Sequence, residues 1–376
     1  MRAARTLSLL VMRETLVYSG LAFFGLTLVL LTQNLLRRLE ELLLVGMTAA
    51  DVRAVLACVL PIVVSYSLPL AFLVGILLSV RRFAADGELL GMRAAGVGPL
   101  AFLLPHLLLG AVVTALSAWL LVAVEHESRR ELVQIFKTVA ARGAILEPGK
   151  FRHIGPRLVF VEERERDGEL RGVMIVDESQ RQRPFRIFAD RGRYRFDEER
   201  SEILLELVDG GVHLEPSPAE PGRYERIRFE TFSYRVDVGP LLGHDFGPVR
   251  PKQMELAELR AVLGRAQRGD LLTELDERDP VAYAMEIHRR RALPMAPLLF
   301  AAVGVPLALV SAERRGSMGL LLCLIAALGY YALAGLGESL AEQGLLGAAA
   351  ASWMPNGLFT VLGLGLALGE QRRIPR

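Results

Sequence analysis

RRFAADGELLGMRAAGVG, Arg81 to Gly98, is a charged stretch set between two of the most apolar runs in the chain, 55–80 and 99–124. About 20 mostly apolar residues suffice to cross a bilayer as a helix. These runs therefore read as two crossings, joined by something longer than a tight turn. Placed on one helix, Phe83, Gly87, Leu90, Ala94 and Val97 fall on a single apolar stripe at the 3.6 period. Arg81 and Glu88 share a second face, Asp86 and Arg93 a third.

Working outward, runs of the same kind lie at 18–36 on the N-terminal side and at 292–310, 317–337 and 345–368 on the other. Pro61, Pro69, Pro294, Pro297 and Pro306 fall inside these runs, where neighbouring helices tolerate the kinks they make. The chain has 376 residues, 52% of them hydrophobic, and a mean hydropathy of +0.34. That is the composition of a membrane protein. A formal net charge of +2 argues against a nucleic-acid partner. Cys58 and Cys323 both lie in apolar runs, as buried small side chains and not a disulfide framework. The first run lacks a small-residue cleavage site and reads as a retained anchor.

Loop charges set the orientation. With the N-terminus in the cytoplasm, the cytoplasmic segments hold Arg2, Arg5, Arg13, Arg81, Arg82, Arg93, Arg314, Arg315, Arg372, Arg373 and Arg376, against only Arg37, Arg38 and Arg53 in the short outer loops. Both termini are then cytoplasmic and the insert is outside. On that side of the membrane, the acids of 81–98 would face an anionic leaflet. Helices that rest on head groups usually carry Lys or Arg across the polar face. The alternative is a docking helix whose acids meet basic residues of a partner.

The chain divides into a first membrane half at 1–124, a polar insert at 125–279 and a second membrane half at 280–376. Within the insert, RLVFVEE, LRGVMIV, GRYRF, SEILLELV and YERIRFETFSYRV alternate apolar and polar residues as half-buried strands do. Turns are expected at Asp167–Gly168, at Asp209–Gly211 and across Pro216–Gly222. Many short strands without helices between them predict a β-sandwich or jelly-roll-like sheet. PKQMELAELRAVLGRAQ, which follows it, reads as an amphipathic helix leading back to the membrane.

Catalytic signatures fail on inspection. GAILEPGKF, Gly143 to Phe151, has five residues between its glycines and Phe after the lysine, so it is not a phosphate-binding loop. None of the six histidines stands in a metal-binding spacing with acids. HESRRE, from His126, reads as a solvated helix end just outside the third span. No GxSxG elbow is present. The chain is expected not to be an enzyme.

Arg81–Gly98 resembles the coupling helix of the LptF/LptG permeases of lipopolysaccharide export. In that family a span and a small polar break lead into (D/S)-x-E-L-x-x-(M/L)-(R/H/Q)-A-x-G. The residues here are Asp86, Gly87, Glu88, Leu89, Met92, Arg93, Ala94, Ala95 and Gly96. The resemblance covers nearly the whole chain, including Val305-Pro306-Leu307 near the end of a proline-rich fourth span. VMRETL and TQNLLRRL are more similar to the LptF branch than to LptG.

The resemblance implies a permease subunit of an ABC-type transporter in the inner membrane. It would extract lipopolysaccharide from the outer leaflet and pass it to a periplasmic bridge. Implied partners are a second six-span permease chain, a cytoplasmic LptB-like ATPase dimer, a single-span LptC-like protein and an LptA-like bridge. ATP is used by the ATPase, and no cofactor is bound by this chain. Glu88 would dock into a groove on the ATPase, with Asp86, Leu89 and Arg93 beside it in the coupling motif. Gly87 and Gly96 would let the chain turn at each end. The insert would join a periplasmic neighbour edge to edge.

Lipid phosphates call for cations at the outer rim, where Arg37, Arg38, Arg289, Arg290 and Arg291 are the candidates. Snorkelling at helix ends is the ordinary use of such residues. The family's cationic pair in the first span maps onto Asn34 and Arg37, so one charge is absent here, with Arg38 next to it. Phe23, Phe24, Leu28 and Leu31 could line the acyl-chain cavity, face lipid or pack against helices. A membrane sensor with a ligand-binding β domain fits the same topology but leaves the outer basic clusters unused. A lipoprotein-release permease is disfavoured, since its larger insert follows span one.

Overall fold

The computed structural model describes residues 2–44, 48–141, 146, 148–154, 156–165, 169–179, 184–197, 202–214, 224–237, 250–268, 280–312 and 318–372. Six helical segments among them are long and apolar enough to cross a membrane: Arg5–Leu36, Ala49–Ala85, Ala101–Val139, Pro280–Ser311, Leu324–Glu342 and Ala348–Gly369. A six-stranded antiparallel sheet lies in the chain between the third and the fourth. The turns expected at 167–168 and 216–222, and Arg314, Arg315, Arg373 and Arg376, lie outside the described residues.

The chain forms two compact units. One comprises Met1–Gln33, Val59–Arg129 and Pro251–Arg376; the other comprises Asn34–Cys58 and Arg130–Arg250. In the first, α1 (Arg2–Leu44) and α2 (Ala49–Ala85) meet along a seam of small and hydroxyl residues. Thr15 Oγ1 lies 3.1 Å from Ser79 Oγ, and Thr27 Oγ1 lies 2.8 Å from Ser67 Oγ. A Cβ on Gly75 would fall 2.6 Å from the Ser19 nitrogen, so only glycine admits α1 this closely. Small residues and hydroxyl hydrogen bonds are how helices associate where lipid removes the hydrophobic drive.

The short α3 (Glu88–Ala94) leads to α4 (Pro99–Trp119). A π-helical turn at Leu120–Val124 then passes into α5 (Glu125–Ala141) without a break. Helix therefore continues well beyond the expected end of span three at 124. Arg129 pairs with Glu125 one turn earlier at 2.8 Å, and Leu132, Phe136 and Val139 bury a helical stripe. The HESRRE segment is thus helix interior, beginning beside a buried glutamate, and not the solvated end expected of it.

After the sheet come a 3-10 turn at Pro251–Gln253, α6 (Leu256–Arg268) and α7 (Pro280–Ala292). The fourth crossing is two helices, α7 and α8 (Ala296–Ala312), separated by a 3-10 turn at Leu293–Met295 that contains Pro294. In that turn the Ala296 N–H bonds Leu293 O. The Ala292 carbonyl accepts instead from Asn356 Nδ2 on α10 (Ala348–Arg372) at 2.9 Å. Tyr330 of α9 (Met318–Glu342) donates to Asn356 Oδ1 at 2.7 Å. Phe72, Leu73, Ile76, Phe102, Phe300, Tyr330 and Phe359 belong to the buried core around this break.

In the second unit, β1 (Phe151–Ile154), β2 (Arg157–Arg164), β3 (Glu169–Asp177), β4 (Phe185–Asp197), β5 (Glu202–Leu214) and β6 (Glu225–Asp237) pair strictly in sequence order. The strand-rich insert is as expected. Its connectivity among the described residues is a meander, without the crossovers of a jelly roll. The turn expected at Asp209–Gly211 is absent, because β5 runs straight through it. Asp209 takes a φ of 56° there. A Cβ on Gly210 would lie 2.3 Å from Phe188 O, so the glycine serves close strand approach, not reversal.

Along that line the buried face changes on two strands. On β3 the buried residues go from Leu170 to Val173, Ile175 and Asp177, and on β4 from Ile187 and Ala189 to Gly192, whereas on β5 Ile203, Leu205, Leu207 and Gly211 keep one alternation. Gly172 on β3 is also left-handed, with a φ of 60°. Such irregular residues bend their strand and increase its local twist.

Candidate functional site

The connection from α2 to α4 is built by two glycines. Gly87 has a φ of 71° and Gly96 of 82°, a region open to glycine at little cost. At Gly96 the chain closes α3 with Gly96 N–H to Arg93 O and Val97 N–H to Met92 O, both 3.0 Å. This is a Schellman cap, and its hydrophobic pair, Met92 and Val97, packs on the bundle core.

The single helix expected over 81–98 is therefore three pieces. Helix α2 ends at Ala85, Asp86 and Gly87 form the break, and α3 starts at Glu88. The expected apolar stripe fails at Leu90, which is 74% exposed, while its neighbour Leu89 is 5% exposed and joins the core. Gly87 resets the helical phase, so a period counted across it misplaces the next turn. Phe83, ahead of the break, is buried as expected. Glu88 is half-buried, Asp86 and Arg93 are exposed, and the segment presents Leu90 with Asp86 and Arg93 on its outer side.

Arg82, on the last turn of α2, holds Asp86 at 3.2 Å and Glu14 of α1 at 2.5 Å. Next to Glu14 on α1, Thr15 Oγ1 lies 3.0 Å from Nε2 of the buried His106. The other ring nitrogen, Nδ1, lies 2.6 Å from Phe102 O and so carries the proton that it donates.

A second polar cluster sits where α7 meets α5 and α2. Glu286 accepts from Arg289 Nε at 2.7 Å and Nη2 at 3.0 Å, and from Arg290 Nε at 2.7 Å. Arg289 reaches Tyr66 Oη at 3.3 Å and Glu125 at 3.7 Å. Arg290 is 2% exposed, and its Nη2 donates to the carbonyls of Pro251 and Lys252 at 3.2 Å each. Of the three α7 arginines among the five considered for lipid phosphate, two thus hold buried carboxylates, and Arg291 is exposed. Arg37 and Arg38 belong to the last turns of α1, and their side chains lie outside the described residues. Arg82, Glu14, Glu125 and Glu286 were not singled out from sequence. The available signal was an acid placed three or four residues before arginines, as in Glu286 with Arg289 and Arg290.

On α1, Phe24 is 72% exposed and Leu28 is exposed, while Phe23 and Leu31 are half-buried. All four lie on a helix that contributes little to the core beyond Val11 and Thr15. In the sheet unit, Arg157 Nε contacts Asp177 at 3.1 Å and Tyr234 Oη at 2.9 Å. Among the described residues no group of three His, Cys, Asp or Glu could hold a metal ion.

No curated protein matches the chain. The family model described as "Lipopolysaccharide export system permease LptF/LptG" matches residues 9–368, and it spans both branches without separating them. With six apolar helices and a β-sheet between the third and fourth, the chain belongs to the LptF/LptG family of lipopolysaccharide export permeases, multi-pass proteins of the inner membrane.

Proposed function

We propose that this permease moves lipopolysaccharide out of the outer leaflet of the inner membrane, driven by an ATPase dimer bound in trans to the α2–α4 connection. The observation that carries the reading is the form of that connection. Two left-handed glycines bracket α3, Leu89 anchors it to the bundle, and Leu90 stands 74% exposed on the other side. A large apolar side chain displayed beside exposed Asp86 and Arg93 and half-buried Glu88 suits a protein groove better than solvent.

In this reading the N-terminus and the α2–α4 connection are cytoplasmic and the sheet is periplasmic, following the arginine bias of the loops. A second six-span chain completes the cavity, with Phe23, Phe24, Leu28 and Leu31 turned toward the acyl chains or toward that partner. Arg37, Arg38 and the exposed Arg291 meet lipid phosphate, whereas Arg289 and Arg290 set the geometry around them. The free edges of the described sheet are β1 and β6. Either can accept a strand from an LptC-like partner on the way to an LptA-like bridge, and β6 offers the longer row of main-chain groups.

The test is Glu88→Ala in the assembled transporter. ATPase co-purification and lipid release should fall while the chain stays folded and inserted. An ATPase that binds the variant at full strength would refute the docking assignment.

A further inference from the structure

We infer that Arg82 is a positioning residue that ties the coupling segment to the first span through Glu14, so that movement at α3 is carried into α1. The inference rests on the function proposed above and adds the route by which the motion travels.

Three observations lead to it. First, the glycine at 87 is a weak point, because a left-handed break lets α3 swing relative to α2 unless something spans it. Arg82 holds Asp86, the residue that leads into the break, at 3.2 Å, and acts electrostatically on Glu88, the first residue of α3 beyond it. Second, the same guanidinium holds Glu14 of α1 at 2.5 Å, with Glu14 only 17% exposed. A forked cation between two carboxylates fixes both partners, as a compact ammonium would not. Third, the contact sits where α1 is best attached. Val11 shares the buried cluster with Phe83 and Leu89, and Thr15 meets Ser79 and His106 one turn on. Elsewhere α1 presents mostly exposed apolar side chains, among them Leu21, Phe24, Leu28 and Val29. A helix whose buried residues, Val11 and Thr15, lie at this end, and whose seam with α2 continues at Ser19 and Thr27, moves with α2 and with whatever this end is clamped to.

An isolated ion pair at a protein surface commonly contributes almost nothing to stability. The role assigned to Arg82 is therefore read in coupling, not in folding. The measurement is lipid released per ATP hydrolysed by the complete transporter, with its ATPase and second permease, in vesicles. Glu14→Gln should leave ATPase association and basal hydrolysis unchanged. It should lower lipid released per ATP by at least about five-fold, the lower end of allosteric couplings. Arg82→Gln should do the same, and the double variant should be no worse than either single change. Combining Glu14→Arg with Arg82→Glu, which restores opposite charges between the helices, should recover part of the ratio. Should Glu14→Gln fail to accumulate, this charge-swapped chain and Glu14→Asp carry the same measurement. A wild-type ratio in Glu14→Gln, or additive losses in the double variant, overturns the relay. Glu88→Ala run alongside separates the two claims: a chain that needs Glu88 for ATPase binding but tolerates Glu14→Gln loses only the relay. A chain that binds the ATPase without Glu88 loses the functional reading.

Discussion

Tyr234, on the last strand of the sheet, donates its hydroxyl to the carboxylate of Asp177 at the end of β3. Strand order places β4 and β5 between them. With neighbouring strands about 4.8 Å apart, a flat sheet would hold the two residues well out of reach. The sheet is therefore rolled, and Arg157 of β2 joins the contact at 3.1 Å from Asp177. The line of left-handed residues at Gly172 and Asp209 is where the bend is made. A meander in connectivity thus acquires the curvature that the sequence patterning suggested as a jelly roll.

Tyr234→Phe removes that donor and leaves a buried acceptor short of one partner. The expected cost is about 1–3 kcal/mol. In the full-length detergent-solubilised chain it should appear as a lower urea midpoint for protease resistance of the insert. An unchanged midpoint would mean that the roll is held by its apolar face alone.

The same carboxylate makes the sheet acid-sensitive. Burial pulls the Asp177 carboxyl upward, but hydrogen bonds from Ser179, Tyr234 and Arg157 outweigh it and hold the group below its ordinary value. A depressed folded value means that the unfolded chain takes up the proton first. The stabilisation is fully present above the ordinary carboxylate range and is lost as pH falls through it toward the lower folded value. Asp177→Asn should flatten that part of the stability-against-pH curve. A curve with the wild-type slope would assign the acid sensitivity to other groups. Tyr234 itself, pushed up by burial and by its bond to Asp177, stays protonated throughout.

Much of this architecture was legible in the residues. Six apolar runs of spanning length and alternation in the insert led directly to helices and strands, because both signals are local. The misreadings share a cause. A helical period counted across 81–98 treats Gly87 as one more helix position, and the Asp209–Gly211 triplet reads as a turn, yet one breaks a helix and resets its phase, and the other kinks a strand that continues. A glycine announces an unusual backbone without saying which. The contacts of Glu125 with Arg289 and of Tyr234 with Asp177 were beyond reach for another reason. Each joins residues far apart in the chain, and depends on packing and curvature that no short window of sequence encodes.

The break between α7 and α8 gives a sharper test of packing inside the bundle. The 3-10 turn takes the Ala296 N–H for Leu293 O, and Asn356 satisfies the Ala292 carbonyl thus released. Asn356→Leu, close in volume but unable to donate, should cost about 1–3 kcal/mol for the orphaned carbonyl. Tyr330→Phe together with Asn356→Leu should cost less than the sum of the two single changes, since they share one hydrogen bond. Thermal unfolding of the solubilised chain would report both, and strict additivity would show that Tyr330 and Asn356 act independently.

Glu286 separates a structural from a lipid-binding role for the α7 arginines. Its carboxylate engages both Arg289 and Arg290, with Arg290 almost wholly enclosed. Removing one partner of a buried ion pair typically costs about 3–5 kcal/mol, because the remaining charge is left without compensation. Glu286→Ala should therefore lower folded yield sharply, and Arg290→Met should be tolerated better than Glu286→Ala, since it leaves the carboxylate paired with Arg289. Arg291→Glu reverses an exposed charge and should leave the melting temperature nearly unchanged while weakening crosslinking of phosphorylated lipid. If crosslinking instead persists in Arg291→Glu and disappears in Arg290→Met at unchanged stability, the buried arginine contacts lipid directly, and the division of labour along this helix is reversed.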